Sequence, residues 1–457
     1  MNIVVIMLDS LRFDFLGCGG NSVVKTPYID QVAREGLVFE QAYAEYPITI
    51  PSRTAFVSGI YTFTNRPWCP LKSYDAHIAE ILKENGFTTV AFTDSPFMWG
   101  GFDRGFDTFV KIPAGKCLKA LTDKKYNFPE YYLPPGYPDK EKVIYYNTMT
   151  NRFYAQEKYG KSCPELLFDQ AIEWLEKNPK FPFFLWIDSF EPHEPWCPPS
   201  PYDTIYQSDK YKRYIPLPPG PDTDWMTEED KKHILSLYMG DVTHTDEQVG
   251  KVTAKLKELN LEQDTMLIIV SDHGEPFGEH GTIRKFGVPL YEELSQIVFI
   301  MKKPGLIPAG RRTKALVQNI DLAPTILDIL NIEFPLKKEF VALFGKKIEK
   351  ECFEGRSLAP LFKNEDASLR NEIYMGAFAL HSAIREGRWK FIDYEGEKLN
   401  ELFDLENDPK EKVNLIKDKK EVAKHLHYKL WKFKAKWSEA LAWRDEPIYA
   451  RRGKLKF

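Results

Sequence analysis

The strongest constraint on this chain is a repeated exchange between two hydrophobic periods. Short aliphatic runs of the kind carried by strands buried on both faces alternate with stretches whose apolar positions recur every three or four residues. Ile3–Leu8 is read as a first strand, Tyr28–Glu35 as a helix, Ala76–Asn85 as a helix stopped by Gly86, and Thr88–Phe92 as the next strand. The pattern continues through helix Glu165–Lys177, strand Phe183–Ile187, a long helix Glu228–Leu259, strands Met266–Val270 and Gln296–Met301, and helix Ala323–Leu330. Such alternation requires crossover connections, and so a mostly parallel sheet covered on both faces.

Near residue 370 the texture changes. Tyr374–Ala379, Ser382–Arg385, Trp389–Tyr394 and Leu399–Asp404 read as short strands separated by Glu386-Gly387 and Glu395-Gly396 turns, and a basic amphipathic helix follows over Lys420–Glu439. The expectation is an α/β body over residues 1–370 and, over 371–457, a small antiparallel sheet with a closing helix. Residues 111–160 and 195–226 show no clean period and are expected to run over one rim of the sheet, where Tyr131, Tyr132, Tyr137, Trp196 and Tyr202 are candidates to stack on a ligand or, equally, to pack on each other.

Composition narrows the function. With 62 Lys and Arg against 66 Asp and Glu over 457 residues, the net charge of −4 excludes a polycationic nucleic-acid or membrane-surface binder. No aliphatic run approaches the roughly twenty residues of a membrane span. Met1-Asn2 enters the first strand without a basic head or a small-residue cleavage site, and the six cysteines, at 18, 69, 117, 163, 197 and 352, lack metal-type spacing. Both features lead to the expectation of a cytoplasmic protein with reduced thiols.

Chemistry is sought at the carboxyl ends of the strands, where open α/β sheets bind ligands. Asp9, Asp188 and Asp272-His273 all follow strands there, and a carboxylate beside an imidazole suits a divalent metal. By itself the pair is equally well a helix-capping Asp beside a satisfied His. Thr49-Ile50-Pro51-Ser52-Arg53 precedes a predicted helix Thr54–Ser58 and offers a hydroxyl and a delocalised cation for an anion, or else only an ordinary capped helix.

In combination these segments resemble the sulfatase family of the alkaline phosphatase superfamily over nearly the whole chain. The resemblance is carried by Asn2–Asp14, Gly17-Cys18-Gly19, Thr26–Asp30, Thr49–Gly59, Phe183–Pro195, Ser271–Lys285, Asp321–Leu330 and Ala383–Leu415, in the family's order. It implies an alkaline-phosphatase-like sandwich. It also implies Asp9, Asp272 and His273 as metal ligands with Thr49 lying on the metal, Arg53 holding Thr49 and the substrate oxyanion, and His193 and Lys285 on the transferred group or leaving oxygen. His280 would support the lysine loop.

Departures from the family pattern shape the expected chemistry. Sulfatases carry Cys or Ser at the nucleophile position and oxidise it to formylglycine, whereas position 49 is a Thr, a secondary alcohol that cannot give that aldehyde. A metal-activated threonine alkoxide remains a competent nucleophile at phosphorus. Asp272-His273 replaces the more usual Asp-Asn, favouring Mn, Zn or Fe while leaving Ca or Mg open, and resembles the phosphonate monoester hydrolase and phosphodiesterase branch. Ser10 stands where a second carboxylate is usual, and Thr93-Asp94-Ser95-Pro96-Phe97 replaces the family's Gly-Lys-x-x-His. Asp188 with His193 offers part of a second metal site, but Lys285 at the expected third ligand favours one metal.

The resulting expectation is a one-metal hydrolase of small anionic phosphate or phosphonate esters with a Thr49 nucleophile and no formylglycine, and with neither nucleic acid nor membrane as partner. Two alternatives stay open: a sulfuric ester hydrolase without formylglycine, and an inactive relative that binds an anion. Oligomeric state cannot be read.

Overall fold

The structure is a computed structural model of the chain, describing all residues except 65, 67, 99, 113–154, 178, 208–210, 212–214, 216, 219, 286, 334–336, 342–346, 352, 397–399 and 442–457. Its centre is an eight-stranded sheet of β1 (Asn2–Leu8), β2 (Leu37–Phe39), β4 (Thr88–Thr93), β5 (Thr108–Lys111), β6 (Phe183–Ser189), β7 (Thr265–Ser271), β8 (Phe299–Lys302) and β9 (Arg311–Thr313). A short β3 (Ala42–Tyr43) pairs outside it with β10 (Val317–Gln318). The spatial order is β5-β4-β6-β1-β7-β8-β2-β9, and β8 alone runs against its neighbours.

Both faces are buried, which is why β1, β6 and β7 read as unbroken apolar runs. Ile3, Val5 and Met7 point to one face and pack with α2 (Thr49–Ser58), α3 (Ile78–Glu84) and α6 (Leu322–Ile329). Val4, Ile6 and Leu8 point to the other, against α1 (Pro27–Arg34), α4 (Cys163–Glu176) and α5 (Glu228–Glu258). A strand-side period of two therefore feeds two separate hydrophobic layers.

Beyond a hairpin of β11 (Lys337–Val341) and β12 (Lys347–Glu351), four antiparallel strands follow: β13 (Glu372–Ala377), β14 (His381–Glu386), β15 (Trp389–Asp393) and β16 (Glu401–Asp404). One face of this sheet, with Ile373, Met375, Ala383, Ile392 and Phe403, packs on Tyr43, Tyr46, Leu290 and Tyr291 of the main body. Its other face, with Ile384, Phe391 and Leu402, is covered by Ala423, Leu426 and Leu430 of α7 (Lys420–Leu441). The expected architecture, a large mostly parallel sheet followed by a small antiparallel sheet and a closing helix, is the one found.

Several local expectations shift. The helix predicted at Thr54–Ser58 begins at Thr49, because Pro51 sits in the first turn, where its missing N–H has no intrahelical partner to lose, and Ser52 N already donates to Ile48 O at 2.9 Å. It stops at Gly59, whose φ of 64° and whose contact with Phe353, 2.4 Å from any added Cβ, both require glycine. The strand predicted from Gln296 starts only at Phe299, since Gln296 bridges to Tyr43 and its amide donates to Glu40 O. Among the described residues no helix is long and apolar enough to cross a membrane.

The aromatic loops also differ from expectation. Tyr131, Tyr132 and Tyr137 lie outside the described residues, and Tyr202 donates to Glu247 at 2.5 Å. Trp196 is not a ligand platform: it is wholly buried, packs on Phe277 and Tyr238, and donates from Nε1 to Pro192 O at 3.1 Å. Trp196→Ala is accordingly expected to cost about 3–5 kcal/mol of stability, measured by denaturant unfolding, where a ligand-stacking residue would cost little.

Candidate active site

Strand register brings the acidic residues together. Leu8 is paired with Ser271 and with Ser189, and Met7 with Asp188, so Asp9 and Asp272 leave neighbouring strands side by side with Asp188 two residues behind. Among the described residues Asp9, Asp272 and His273 are the group whose ligand atoms lie within 4.8 Å of one another. All three are fully buried.

The second turn of this site is held by an unusual backbone. Ser10 has φ 64°, a left-handed conformation costly for a residue with a Cβ. Its N–H donates to Asp272 Oδ1 at 3.0 Å, its hydroxyl to Asp9 Oδ1 at 2.9 Å, and its carbonyl accepts from Tyr238 Oη at 2.9 Å. Tyr238 Oη also accepts from Arg12 N at 2.9 Å, which fixes both ends of the strained turn. On the other strand, Gly274 lets the chain pass against Glu293 O, 2.1 Å from where a Cβ would stand, and its N–H donates to Leu294 O.

Arg53 closes the set from α2. Its Nε and Nη2 grip Asp188 at 3.0 and 2.8 Å, Nη2 lies 3.1 Å from Asp9 Oδ2, and Nη1 donates to Asp272 Oδ2. Asp188 also accepts from Trp186 Nε1 at 3.1 Å, so its oxygens are engaged by Arg53 and the indole. Ser52 Oγ donates to Asp272 O at 2.7 Å, anchoring the helix to the strand end.

Thr49, at the start of α2, places Oγ1 3.4 Å from His273 Nε2. Nδ1 of that imidazole lies 2.7 Å from Gly274 O, an acceptor, so Nδ1 carries the proton and the Nε2 lone pair faces the carboxylates and Thr49. Burial, then the charge of Lys285, lowers His273 to about 3, keeping the ring neutral as a ligand. Burial, then the charge of Asp272, pushes Asp9 up to about 7, and Asp272 is likewise raised by burial. Two crowded carboxylates, an inward imidazole lone pair, and an Asp9 Oδ2 without an aligned hydrogen bond form a donor set that fits a divalent cation.

The opposite wall comes from two loops. Lys285 Nζ lies 2.7 Å from His193 Nε2 and donates to Glu194 Oε2 at 3.2 Å and Glu275 Oε2 at 3.5 Å. His193 Nδ1 sits 2.5 Å from Glu194 O, which fixes its proton there and leaves Nε2 to accept from the ammonium. Burial lowers His193 well below its usual range, while for Lys285 burial is outweighed by Glu194, Glu275, Asp9 and Asp272, leaving it raised. Lys285 thus stays a cation within electrostatic reach of the acid cluster.

Asp94 and His280 stand behind this wall. Asp94 Oδ1 accepts from Phe190 N at 2.6 Å, and Phe190 stacks on His193 at 4.1 Å, so Asp94 braces the turn bearing His193. His280 Nδ1 meets Glu293 at 2.5 Å, its Nε2 meets Glu411 O at 3.1 Å, and its ring stacks on Tyr291 at 3.7 Å. It ties the 272–285 loop to the segment after β16.

Sequence reasoning missed Glu194, Glu275, Arg12 and Tyr238. Glu194 and Glu275 lie inside the stretches Phe183–Pro195 and Ser271–Lys285 that carry the resemblance, a signal that was available. Tyr238, in the middle of a 31-residue helix, gave none.

Comparison with known proteins follows the same outline. The sulfatase family model matches residues 1–332, and that for the C-terminal part of N-sulphoglucosamine sulphohydrolase matches residues 278–436. An arylsulfatase of Clostridium perfringens is 26% identical over 461 residues, covering 91% of this chain and 90% of that protein. Arylsulfatase K of Rattus norvegicus is 27% identical over 470 residues, covering 94% and 77% respectively. The solved phosphonate monoester hydrolase of Agrobacterium radiobacter superposes with a TM-score of 0.71 at 21% identity, covering 95% of this chain and 96% of that one, a likeness of fold.

Two outcomes test this construction. Tyr238→Phe strips the bridge between Ser10 O and Arg12 N and is expected to cost about 1–3 kcal/mol in chemical denaturation. For His280 burial works downward, but Glu293 and the Glu411 carbonyl raise its pKa above 6.5, so its ion pair stabilises below pH 6.5 and is lost as pH rises through the elevated value. Thermal midpoints of His280→Gln should therefore fall short of the parent at pH 6 and converge with it at alkaline pH; a gap that widens with pH would contradict the assignment.

Proposed function

Because this chain belongs to the sulfatase family, whose relatives and fold neighbours hydrolyse ester bonds, we propose that it is a metal-dependent hydrolase of phosphate or phosphonate esters that uses Thr49 as its nucleophile. The observation that carries this reading is the position of Thr49 Oγ1, at the first residue of α2 and 3.4 Å from His273 Nε2. Asp9, Asp272 and His273 would hold the divalent ion, with Ser10 aligning both carboxylates. When bound, that ion supplies Lewis-acid stabilisation of negative charge and eases ionisation of the neighbouring hydroxyl.

The residues divide the remaining work. Arg53, pinned by Asp188, fixes the first turn of α2 through its Nη1 bond to Thr49 O at 3.3 Å and so holds the nucleophile in place. Thr49 Oγ1 gives its proton to solvent and bonds to phosphorus in line with the departing oxygen, which takes a proton from the Lys285–His193 pair as its bond to phosphorus breaks. Water then attacks the phospho-threonine, returning a proton to the Lys285–His193 pair, and the Thr49 oxygen takes a proton from solvent as its bond to phosphorus breaks and the acid is released. The ammonium of Lys285 offsets charge on the oxygens in flight.

A second reading keeps the residues and changes the ester to a sulfate. It is supported by curated relatives that match nine-tenths of the chain and are named arylsulfatases. The formylglycine route of such enzymes is closed to a threonine, so under this reading Thr49 or water attacks sulfur.

Rates on an aryl phosphate, an aryl phosphodiester, an aryl phosphonate and an aryl sulfate separate the two readings; a clear preference for sulfate would overturn the first. Thr49→Ala should lower kcat on the preferred ester by at least about a thousandfold at an unchanged thermal midpoint, and near-parental turnover would end the nucleophile assignment. Metal analysis should find about one divalent ion per chain, lost in His273→Ala.

A further inference from the structure

We infer that Glu194 is a specificity-determining residue, neutralising the cations of the leaving-group wall so that the site accepts tetrahedral esters bearing one negative charge and disfavours those bearing two. This rests on the reading that an anionic ester binds between Thr49 and Lys285. Glu194 is buried, and its two oxygens meet three nitrogens: Oε1 accepts from Arg284 Nε at 3.2 Å, while Oε2 accepts from Lys285 Nζ at 3.2 Å and lies 3.0 Å from His193 Nδ1. A carboxylate that joins a lysine, an arginine and an imidazole in one buried contact is a point of charge compensation as well as a brace.

The rest of the wall makes this residue decisive. Arg53 is committed to Asp9, Asp188 and Asp272. The segment where the family carries Lys and His reads Thr93–Phe97 here and supplies Asp94 instead. Among the described residues, each cation lining the site therefore already faces a carboxylate. Burial opposes the ionised form of Glu194, yet His193, Lys285 and Arg284 hold it well below the usual carboxylate range, so its charge persists across neutral pH. A sulfate ester, a phosphodiester or a phosphonate monoester brings a single charge, whereas a phosphate monoester above its second pKa of about 6 brings another for which the described residues supply no uncommitted cation.

The test reads binding, apart from turnover. Metal-loaded Thr49→Ala protein is titrated calorimetrically at pH 8 with phenyl sulfate, a monoanion, and phenyl phosphate, a dianion, with and without Glu194→Gln, which keeps the side chain's shape and removes its charge. Glu194→Gln is expected to improve phenyl phosphate affinity at least about tenfold more than phenyl sulfate affinity, since one unit charge in a desolvated site is worth that much. Equal changes for both ligands, or none, would reduce Glu194 to a brace and leave the proposed function standing; failure of both ligands to bind at millimolar concentration would overturn both. If the doubly substituted protein has a lowered thermal midpoint, Thr49→Ala alone decides: phenyl phosphate should bind more weakly at pH 8 than at pH 5 while phenyl sulfate is unchanged, and a phosphate affinity that holds or rises would refute the inference.

Discussion

A single buried guanidinium organises this molecule's chemistry. Asp9, Asp188 and Asp272 arrive from three adjacent strands of a sheet whose surroundings are apolar on both faces, and three such carboxylates repel one another in a medium that screens poorly. Arg53 meets all of them at once because its planar fork can grip Asp188 with two nitrogens while Nη1 and Nη2 reach the others. A lysine, with one point of charge, has no equivalent geometry. The same Nη1 also bonds to Thr49 O, so the residue that reconciles the carboxylates sets where the hydroxyl stands.

Around that ion cluster the fold invests local strain. Ser10 is held at positive φ by three hydrogen bonds, two donated by its N–H and hydroxyl and one accepted by its carbonyl from Tyr238, which on the long helix locks the outer edge of the turn. The result is a carboxylate pair whose lone pairs converge with an imidazole that is kept neutral by burial. Preorganisation of this kind lets charge stabilisation act without reorganisation when the ester reacts. The facing wall is built differently, from loops: Lys285 and His193 meet through a short contact, and their carboxylate partners sit one and ten residues away in the chain.

Legibility in the sequence followed the range of the forces involved. β1, β6 and β7 were readable because strands buried on both faces must be continuously apolar, and the small C-terminal sheet because Glu-Gly turns punctuate it. The start of α2 was misplaced by five residues because Thr49–Arg53 was read as a segment preceding the helix, whereas these residues, Pro51 included, form its first turn. Trp196 looked like a ligand platform from composition, yet the packing of Phe277 and Tyr238 around it makes it core. Asp94 and His280 were candidates by position in motifs, and their contacts put them behind the wall as braces of the loops bearing His193 and Lys285.

The sequence alone determined the layered α/β plan, the order of its motifs and the identity of the hydroxyl at residue 49, because these depend on local period and on residue type. Only the tertiary structure decided that Arg53 serves three carboxylates, that His273 turns its Nε2 inward, and that Glu194 answers the cations of the far wall. Those facts follow from strand register and loop packing between residues separated by up to 263 positions, and no local pattern encodes a distance of 3 Å across such a gap.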